Sequence, residues 1–241
     1  MVVSNEEIKR EIFLLKVRDN KIASNGVPGQ FVHIRIGNSF SPLLRRPFSI
    51  HDVEEDIFAV LYKIRGRGTF LLSQYKVGDQ IDIIGPLGNG FNIEKYDRVA
   101  IVAGGMGVAP LYFLAKKLKA KKLTILLGAA TEEKLVYVEE FSKLGELKIA
   151  TEDGSLGIKG MVTELLEEIK ETNFVAACGP PPMLRVVKLF TAKYNIPCQL
   201  SLEERMACGL GICLSCAVKS ADNYKYVCKD GPVFWSSEID I

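Results

Sequence analysis

The run Cys208-Gly209-Leu210-Gly211-Ile212-Cys213-Leu214-Ser215-Cys216, followed by Cys228, constrains this chain more than any other segment. Its four cysteines stand at the spacing C-x4-C-x2-C-x11-C. The order C-x4-C-x2-C…C is that of plant-type [2Fe–2S] sites, where two irons take four thiolates. A loop that wraps an inorganic core must turn tightly and bring backbone N–H groups to sulfur; Gly209 and Gly211 supply that freedom. Structural zinc usually draws on two separated close pairs, whereas here three ligands crowd together and the fourth stands apart. Met1–Ile12 carries Glu6, Glu7, Lys9 and Arg10 where the apolar core of a signal peptide would lie. The thiols are therefore expected in a reducing, cytoplasmic setting, which favours metal ligands over disulfides. Cys198 falls outside the spacing and reads as a small buried hydrophobe. Cys208, Cys213, Cys216 and Cys228 are thus read as ligands of a cluster that moves single electrons.

The 241 residues are 48% hydrophobic and 25% charged, an ordinary mix for a globular chain with room for two or three small domains. A net charge of +2 argues against a nucleic-acid partner. No apolar run approaches the roughly 18 residues of a membrane span. The group Lys116, Lys117, Lys119, Lys121 and Lys122 reads as the solvated end of a helix, where cations are favoured.

Residues 1–95 are expected to form an antiparallel barrel. Glu11–Arg18, Phe31–Ile36, Phe58–Ile64 and Gln80–Ile84 are rich in β-branched and aromatic residues and separated by turn formers; Phe70–Tyr75 suits a short helical turn. From Tyr96 the pattern becomes strand–helix alternation. Strands are expected at Arg98–Ala103, Leu123–Leu127, Leu147–Ala150 and Phe174–Cys178, and helices at Pro110–Lys119, Val162–Lys170 and Met183–Tyr194. This implies a parallel sheet with helices on its faces over residues 96–196. Residues 197–241 hold one strand (Gln199–Leu202), the cysteine loop and a hairpin through Ala217–Val218 and Tyr226–Val227. So small a tail needs the cluster to hold it together.

Four further segments carry chemistry. Gly104-Gly105-Met106-Gly107 joins a strand to a helix, a turn that offers backbone N–H groups to a phosphate. Cys178-Gly179-Pro180-Pro181-Pro182 ends a later parallel strand, where ligands of open α/β sheets sit. Arg45-Arg46-Pro47-Phe48-Ser49 offers an arginine fork and a hydroxyl, and Gly66-Arg67-Gly68-Thr69 a second phosphate-facing turn. Each of the four alone is weak, since similar turns occur in many folds. His33 and His51 have no carboxylate or cysteine partner in a suggestive position and read as structural.

Together these segments resemble the ferredoxin–NADP reductase superfamily: a flavin-binding barrel, then a nicotinamide-nucleotide domain. Arg46-Pro47-Phe48-Ser49 looks like its flavin motif, Leu61-Tyr62-Lys63 like the strand beside the flavin, and Gly68-Thr69 like its pyrophosphate turn. Gly104, Gly105, Gly107 and Pro110 match G-G-x-G-x-x-P; Cys178-Gly179-Pro180 matches the C-G-P near the nicotinamide. Glu203–Cys216 and Tyr226–Phe234 look like the electron-transfer subunits of class 1B dihydroorotate dehydrogenases. Subunits of ferredoxin:NADP transhydrogenases and sulfhydrogenases share the layout. The resemblance implies FAD, [2Fe–2S] and NAD as cofactors and pyrimidine biosynthesis as the setting. It also implies an FMN-containing dihydroorotate dehydrogenase catalytic subunit as partner, in a heterotetramer of two of each. Dihydroorotate would reduce the FMN, electrons would cross singly through the cluster to FAD, and FAD would pass a hydride to NAD+. Cys178 takes the catalytic place at the nicotinamide. NAD over NADP follows from Gly128-Ala129-Ala130-Thr131-Glu132-Glu133, whose acids repel a 2′-phosphate. Val233, Phe234 and Trp235 fit an apolar docking surface or the core equally well.

Overall fold

The computed structural model describes residues 1–37, 41–92, 96–118, 122–221 and 223–241. Lys119 and Lys121 of the basic group and the expected boundary residue 95 lie outside them.

The first part contains β1 (Val2–Lys9), β2 (Ile12–Arg18), α1 (Asn20–Asn25), β3 (Phe31–Arg35), β4 (Arg46–Ser49) and β5 (Asp52–Glu54). It continues with β6 (Ile57–Lys63), α2 (Arg67–Leu72) and β7 (Asp82–Leu87). The strands form two antiparallel sheets, β1-β2-β6-β5 and β4-β3-β7. They close on one core that includes Leu15, Val17, Val32, Ile34, Ile50, Phe58 and Val60. Alternation explains β3, whose Val32 and Ile34 face this core. β1 was not foreseen, because Asn5, Glu6 and Glu7 interrupt its apolar pattern on a strand that pairs only with β2. α1 was missed too; Asp19 caps it by accepting from Ile22 N at 3.0 Å. β7 begins later than expected and tolerates Pro86 because it is an edge strand.

The second part contains β8 (Arg98–Gly104), α3 (Val108–Leu118), β9 (Lys122–Ala129), α4 (Val138–Ser142), β10 (Glu146–Thr151) and β11 (Ile158–Lys159). β12 (Phe174–Cys178), α5 (Pro181–Lys193) and β13 (Cys198–Ser201) follow. Val162–Ile169 is a helix of the 3-10 kind, and its buried Val162, Leu165, Leu166 and Ile169 keep the i, i+3, i+4, i+7 spacing of one apolar face. The tail adds β14 (Ala217–Lys219), β15 (Tyr224–Tyr226) and β16 (Val233–Trp235).

A seven-stranded sheet runs β11-β10-β9-β8-β12-β13-β16, parallel except for β16. β8 is buried on both faces: Val99, Ile101 and Ala103 enter one core, Ala100 and Val102 the other. Such doubly covered strands read as continuous apolar runs. The chain leaves β8 toward β9 on one side and later returns to β12 on the other. The carboxyl ends of β8 and β12 therefore flank the switch point where ligands bind in such sheets. The sheet also runs across the expected boundary at 196/197, since β13 and β16 are two of its strands. Val233 and Phe234 are buried, and Trp235 packs edge-on against Phe174 at 6.1 Å. Of the two readings open for these residues, the structure takes the core, with Trp235 partly buried against it.

Candidate functional site

The cysteine loop leaves β13 through Leu202 and folds against the barrel. Gly209 (φ 71°) and Gly211 (φ 76°) take the left-handed conformation, and a side chain on Gly209 would strike the His33 ring. The backbone N–H groups turn onto sulfur. Leu210 N donates to Cys208 Sγ at 3.3 Å, Gly211 N to Cys228 Sγ at 3.1 Å and Cys228 N to Cys216 Sγ at 3.4 Å. Cys213 N points at Cys208 Sγ (3.4 Å), while Cys216 and Cys228 sulfurs lie 3.3 Å apart. The four cysteines thus group as Cys208 with Cys213 and Cys216 with Cys228. The Ser215 hydroxyl, 3.2 Å from Cys213 Sγ, together with backbone N–H groups pulls that thiol down to about 6. Burial, then the adjoining Cys216 sulfur, pushes Cys228 up to about 12. Metal binding would reverse that preference, since the thiolate is the ligand.

A cavity of about 400 Å³ opens between the barrel and the carboxyl end of β12. Pro47, Phe48, Ser49, Leu61, Tyr62, Lys63, Thr69 and Cys178 all line it. β4 supplies Pro47, Phe48 and Ser49, β6 Leu61, Tyr62 and Lys63, α2 Thr69 and β12 Cys178. Phe48 meets Tyr62 edge-on at 5.7 Å, and the Tyr62 hydroxyl donates to Asn5 Oδ1 at 3.0 Å. Arg46 and Gly68 stand behind this wall: a β-carbon on Gly68 would lie 3.3 Å from Arg46 Nε. Arg46 Nη1 donates to Leu44 O at 2.6 Å and Arg45 O at 3.2 Å. Thr69 Oγ1 is taken up by its own helix start; it accepts from Arg65 N and Gly66 N and donates to Gly66 O. Its lining combines aromatic and aliphatic side chains with Lys63 and Arg65, which suit a flat ring carrying a phosphate tail, while Glu203 and Glu204 also line it.

A second cavity, about 670 Å³, is lined by Gly104, Gly105, Gly107, Gly179 and Pro180. Gly107 is indispensable to its shape, because a β-carbon there would collide with the Cys178 carbonyl oxygen. Its absence lets α3 start directly against the end of β12. The two cavities share Arg65, Met106, Leu202, Glu203 and Glu204. Cys178 is wholly buried, and burial raises its thiol far above the ordinary range, so it stays protonated. Glu132 and Glu133 follow the end of β9 as a 3-10 turn and are exposed.

Sequence reasoning missed Phe31, Met106, Ala109, Ser201 and Pro232 in the first cavity. Nothing local distinguishes them; distant strands bring them together. Glu203, Glu204 and Met206 were in view only as neighbours of the cysteines. His33 also departs from its expected isolation. It is fully buried behind the Cys208–Gly209 turn, and burial holds its imidazole below the usual value.

Comparison with known proteins agrees with this arrangement. The family model described as the iron-sulfur cluster binding domain of dihydroorotate dehydrogenase B matches residues 203–240, and an oxidoreductase NAD-binding domain matches 101–189. The chain is 48% identical to the dihydroorotate dehydrogenase B (NAD(+)) electron transfer subunit of Caldanaerobacter subterraneus subsp. tengcongensis, over 99% of this chain and 96% of that protein. It is 38% identical to the Fusobacterium nucleatum protein of the same name, over 100% and 97%. A chain of the NADH-dependent reduced ferredoxin-NADP oxidoreductase superposes with a TM-score of 0.89 at 34% identity, covering 99% of this chain and 88% of that one. A ferredoxin NADP+ reductase from Neisseria gonorrhoeae shares the fold at 14% identity, with a TM-score of 0.68 and coverage of 80% and 89%. The chain belongs to the electron transfer subunits of dihydroorotate dehydrogenase B (NAD(+)).

Proposed function

We propose that the chain carries electrons from a separate FMN-bearing dihydroorotate dehydrogenase subunit to NAD+ in the cytoplasm, within an assembly of two copies of each subunit. The observation that carries this reading is continuity. The cavity between the barrel and β12 shares a wall with the cavity over Gly104–Gly107, and that wall (Leu202, Glu203, Glu204) leads straight into the cysteine loop.

In this reading Cys208, Cys213, Cys216 and Cys228 hold the [2Fe–2S] cluster. Pro47, Phe48, Ser49, Leu61, Tyr62 and Lys63 bind FAD, with Arg46 and Gly68 shaping the turn beside it. Thr69 fixes the backbone of that turn. Gly104, Gly105, Gly107, Gly179 and Pro180 receive NAD. A bound flavin supplies the chemistry that the side chains lack, taking electrons singly and releasing them as a hydride. Cys178 faces the flavin cavity as an uncharged thiol at the end of β12, next to Gly179 and Pro180 of the second cavity, and Phe31, Leu202 and Pro232 help close the flavin cavity to water. Leu210, Ile212 and Leu214 of the cysteine loop are 48%, 77% and 51% exposed. Three large apolar side chains left in water beside the ligands suit a docking face for the FMN subunit.

Cys213→Ser tests the division of labour. It is expected to retain FAD and NADH oxidation by an artificial acceptor while losing electron exchange with the FMN subunit. Full activity of the reconstituted complex would refute the ligand assignment.

A further inference from the structure

His33 sits in the middle of β3, paired with Pro47 of β4 on one side and Ile84 of β7 on the other. Val32 and Ile34 enter the barrel core, so strand alternation turns Phe31 and His33 to the opposite face. That face meets the cysteine loop. The imidazole is fully buried, and its Nδ1 is the atom that a β-carbon on Gly209 would strike first. Phe31 meets the same ring edge-on at 6.4 Å. Phe31 and Pro47 both line the flavin cavity. One barrel residue thus abuts the cysteine loop, while its strand neighbour and its cross-strand partner face the flavin cavity.

An imidazole is a costly side chain to bury here. Uncharged, it carries one N–H donor and one bare acceptor nitrogen. Neither ring nitrogen has a hydrogen-bond partner, so a donor and an acceptor stay unsatisfied whichever tautomer forms. Among the described residues the only other buried side-chain nitrogen or oxygen so left is His51 Nε2. Buried polar groups are almost always paired, and a leucine would fill the same space without leaving any. The Cys208 backbone lies close enough to act against burial on this ring, yet outside hydrogen-bonding geometry. An N–H aimed at the turn that carries a cluster ligand is therefore one small movement from an acceptor. Groups that hydrogen-bond behind metal ligands tune both affinity and potential.

We propose that His33 is a positioning residue for the cluster: its Nδ1–H seats the Cys208–Gly209 turn on the barrel and raises the cluster's reduction potential. The positive end of the N–H dipole faces the turn, in surroundings without water, and so favours the state that holds one more electron. The inference rests on the four cysteines being the cluster's ligands. It adds to that reading a barrel residue, far from them in sequence, that sets how readily they accept an electron.

Anaerobic redox titration of the chain loaded with FAD and cluster, followed by the EPR signal of the reduced cluster, tests this with two variants. His33→Leu fills the space and removes the N–H. His33→Asn leaves more space but keeps a donor, since its Nδ2 falls where Nδ1 stood. His33→Leu is expected to make cluster reduction about tenfold less favourable, which is about 59 mV for one electron. His33→Asn should stay within about threefold of the wild type on the same scale. Iron content per chain should follow the same order, which keeps the comparison decisive even for a variant that loads poorly. A space-filling role predicts the reverse order, because asparagine leaves the larger void. His33→Asn no closer to the wild type than His33→Leu, or an unmoved potential in His33→Leu, would overturn the proposal. A wild-type chain that gives no such EPR signal would overturn the ligand assignment itself, and the role of His33 with it.

Discussion

Gly107 and His51 show how one residue can govern the gap between the barrel and the sheet. At Gly107 the helix start and the strand end approach so closely that a methyl group has no room. Gly107→Ala is expected to cost about 1–3 kcal/mol of stability as α3 is forced back, and to raise KM for NADH more than it lowers flavin content. Steady-state kinetics beside absorbance-based flavin counts would check this. His51 makes a separate, pH-dependent contribution. The unfolded chain protonates it near 6.5, the folded chain only near 4. Between these values the unfolded state binds more protons, so stability is full above pH 6.5 and falls as the pH drops toward 4. The whole swing is roughly 3 kcal/mol, at 1.36 kcal/mol per unit. His51→Phe should flatten the unfolding free energy across that window, as denaturant titrations at stepped pH would show. Gly107 was legible in the sequence because glycine spacing betrays a strand–turn–helix. His51 was not, since its partners come from residues 109, 112 and 137.

Among elements, those with a strong pattern were legible and those that depend on tertiary pairing were not. β8, β9 and β12 read as apolar runs because helices cover both faces. β1 hid behind its polar residues, and β16 behind its position in the tail, where three apolar residues suited a surface as well as a core. Its pairing with β13 ties the cysteine loop to the large sheet at both ends: Leu202 N donates to Pro232 O at 2.9 Å. Phe234 is the anchor, 2% exposed. Phe234→Ala is expected to cost about 3–5 kcal/mol and to lower cluster content, measured by thermal unfolding and by visible absorbance per chain. Unchanged cluster content would separate the loop from the sheet. On the opposite side of the loop, Ile212→Asp should leave stability and NADH oxidation intact. It should weaken association with the FMN subunit by more than about 1 kcal/mol, as burial of an apolar anchor implies; analytical ultracentrifugation reads this directly.

At the scale of the whole molecule, the chain is a conduit whose stations follow one another in space. The second cavity sits at the switch point of the parallel sheet, the first in the gap toward the barrel, and the cysteine loop beyond their shared wall. Composition bounded this layout, and the order of motifs gave most of it. What the motifs could not convey was the meeting of the cavities at Met106, Leu202 and Glu204, which requires β8 and β13 to be placed by the fold. Among the described residues no helix is long and apolar enough to cross a membrane. The most direct measurement is anaerobic NADH formation from dihydroorotate, with this chain mixed with and without the FMN-bearing subunit of the same genome. Turnover only in the mixture is the expected result. No turnover, from a chain that carries FAD and cluster and oxidises NADH with an artificial acceptor, would contradict the partner assignment.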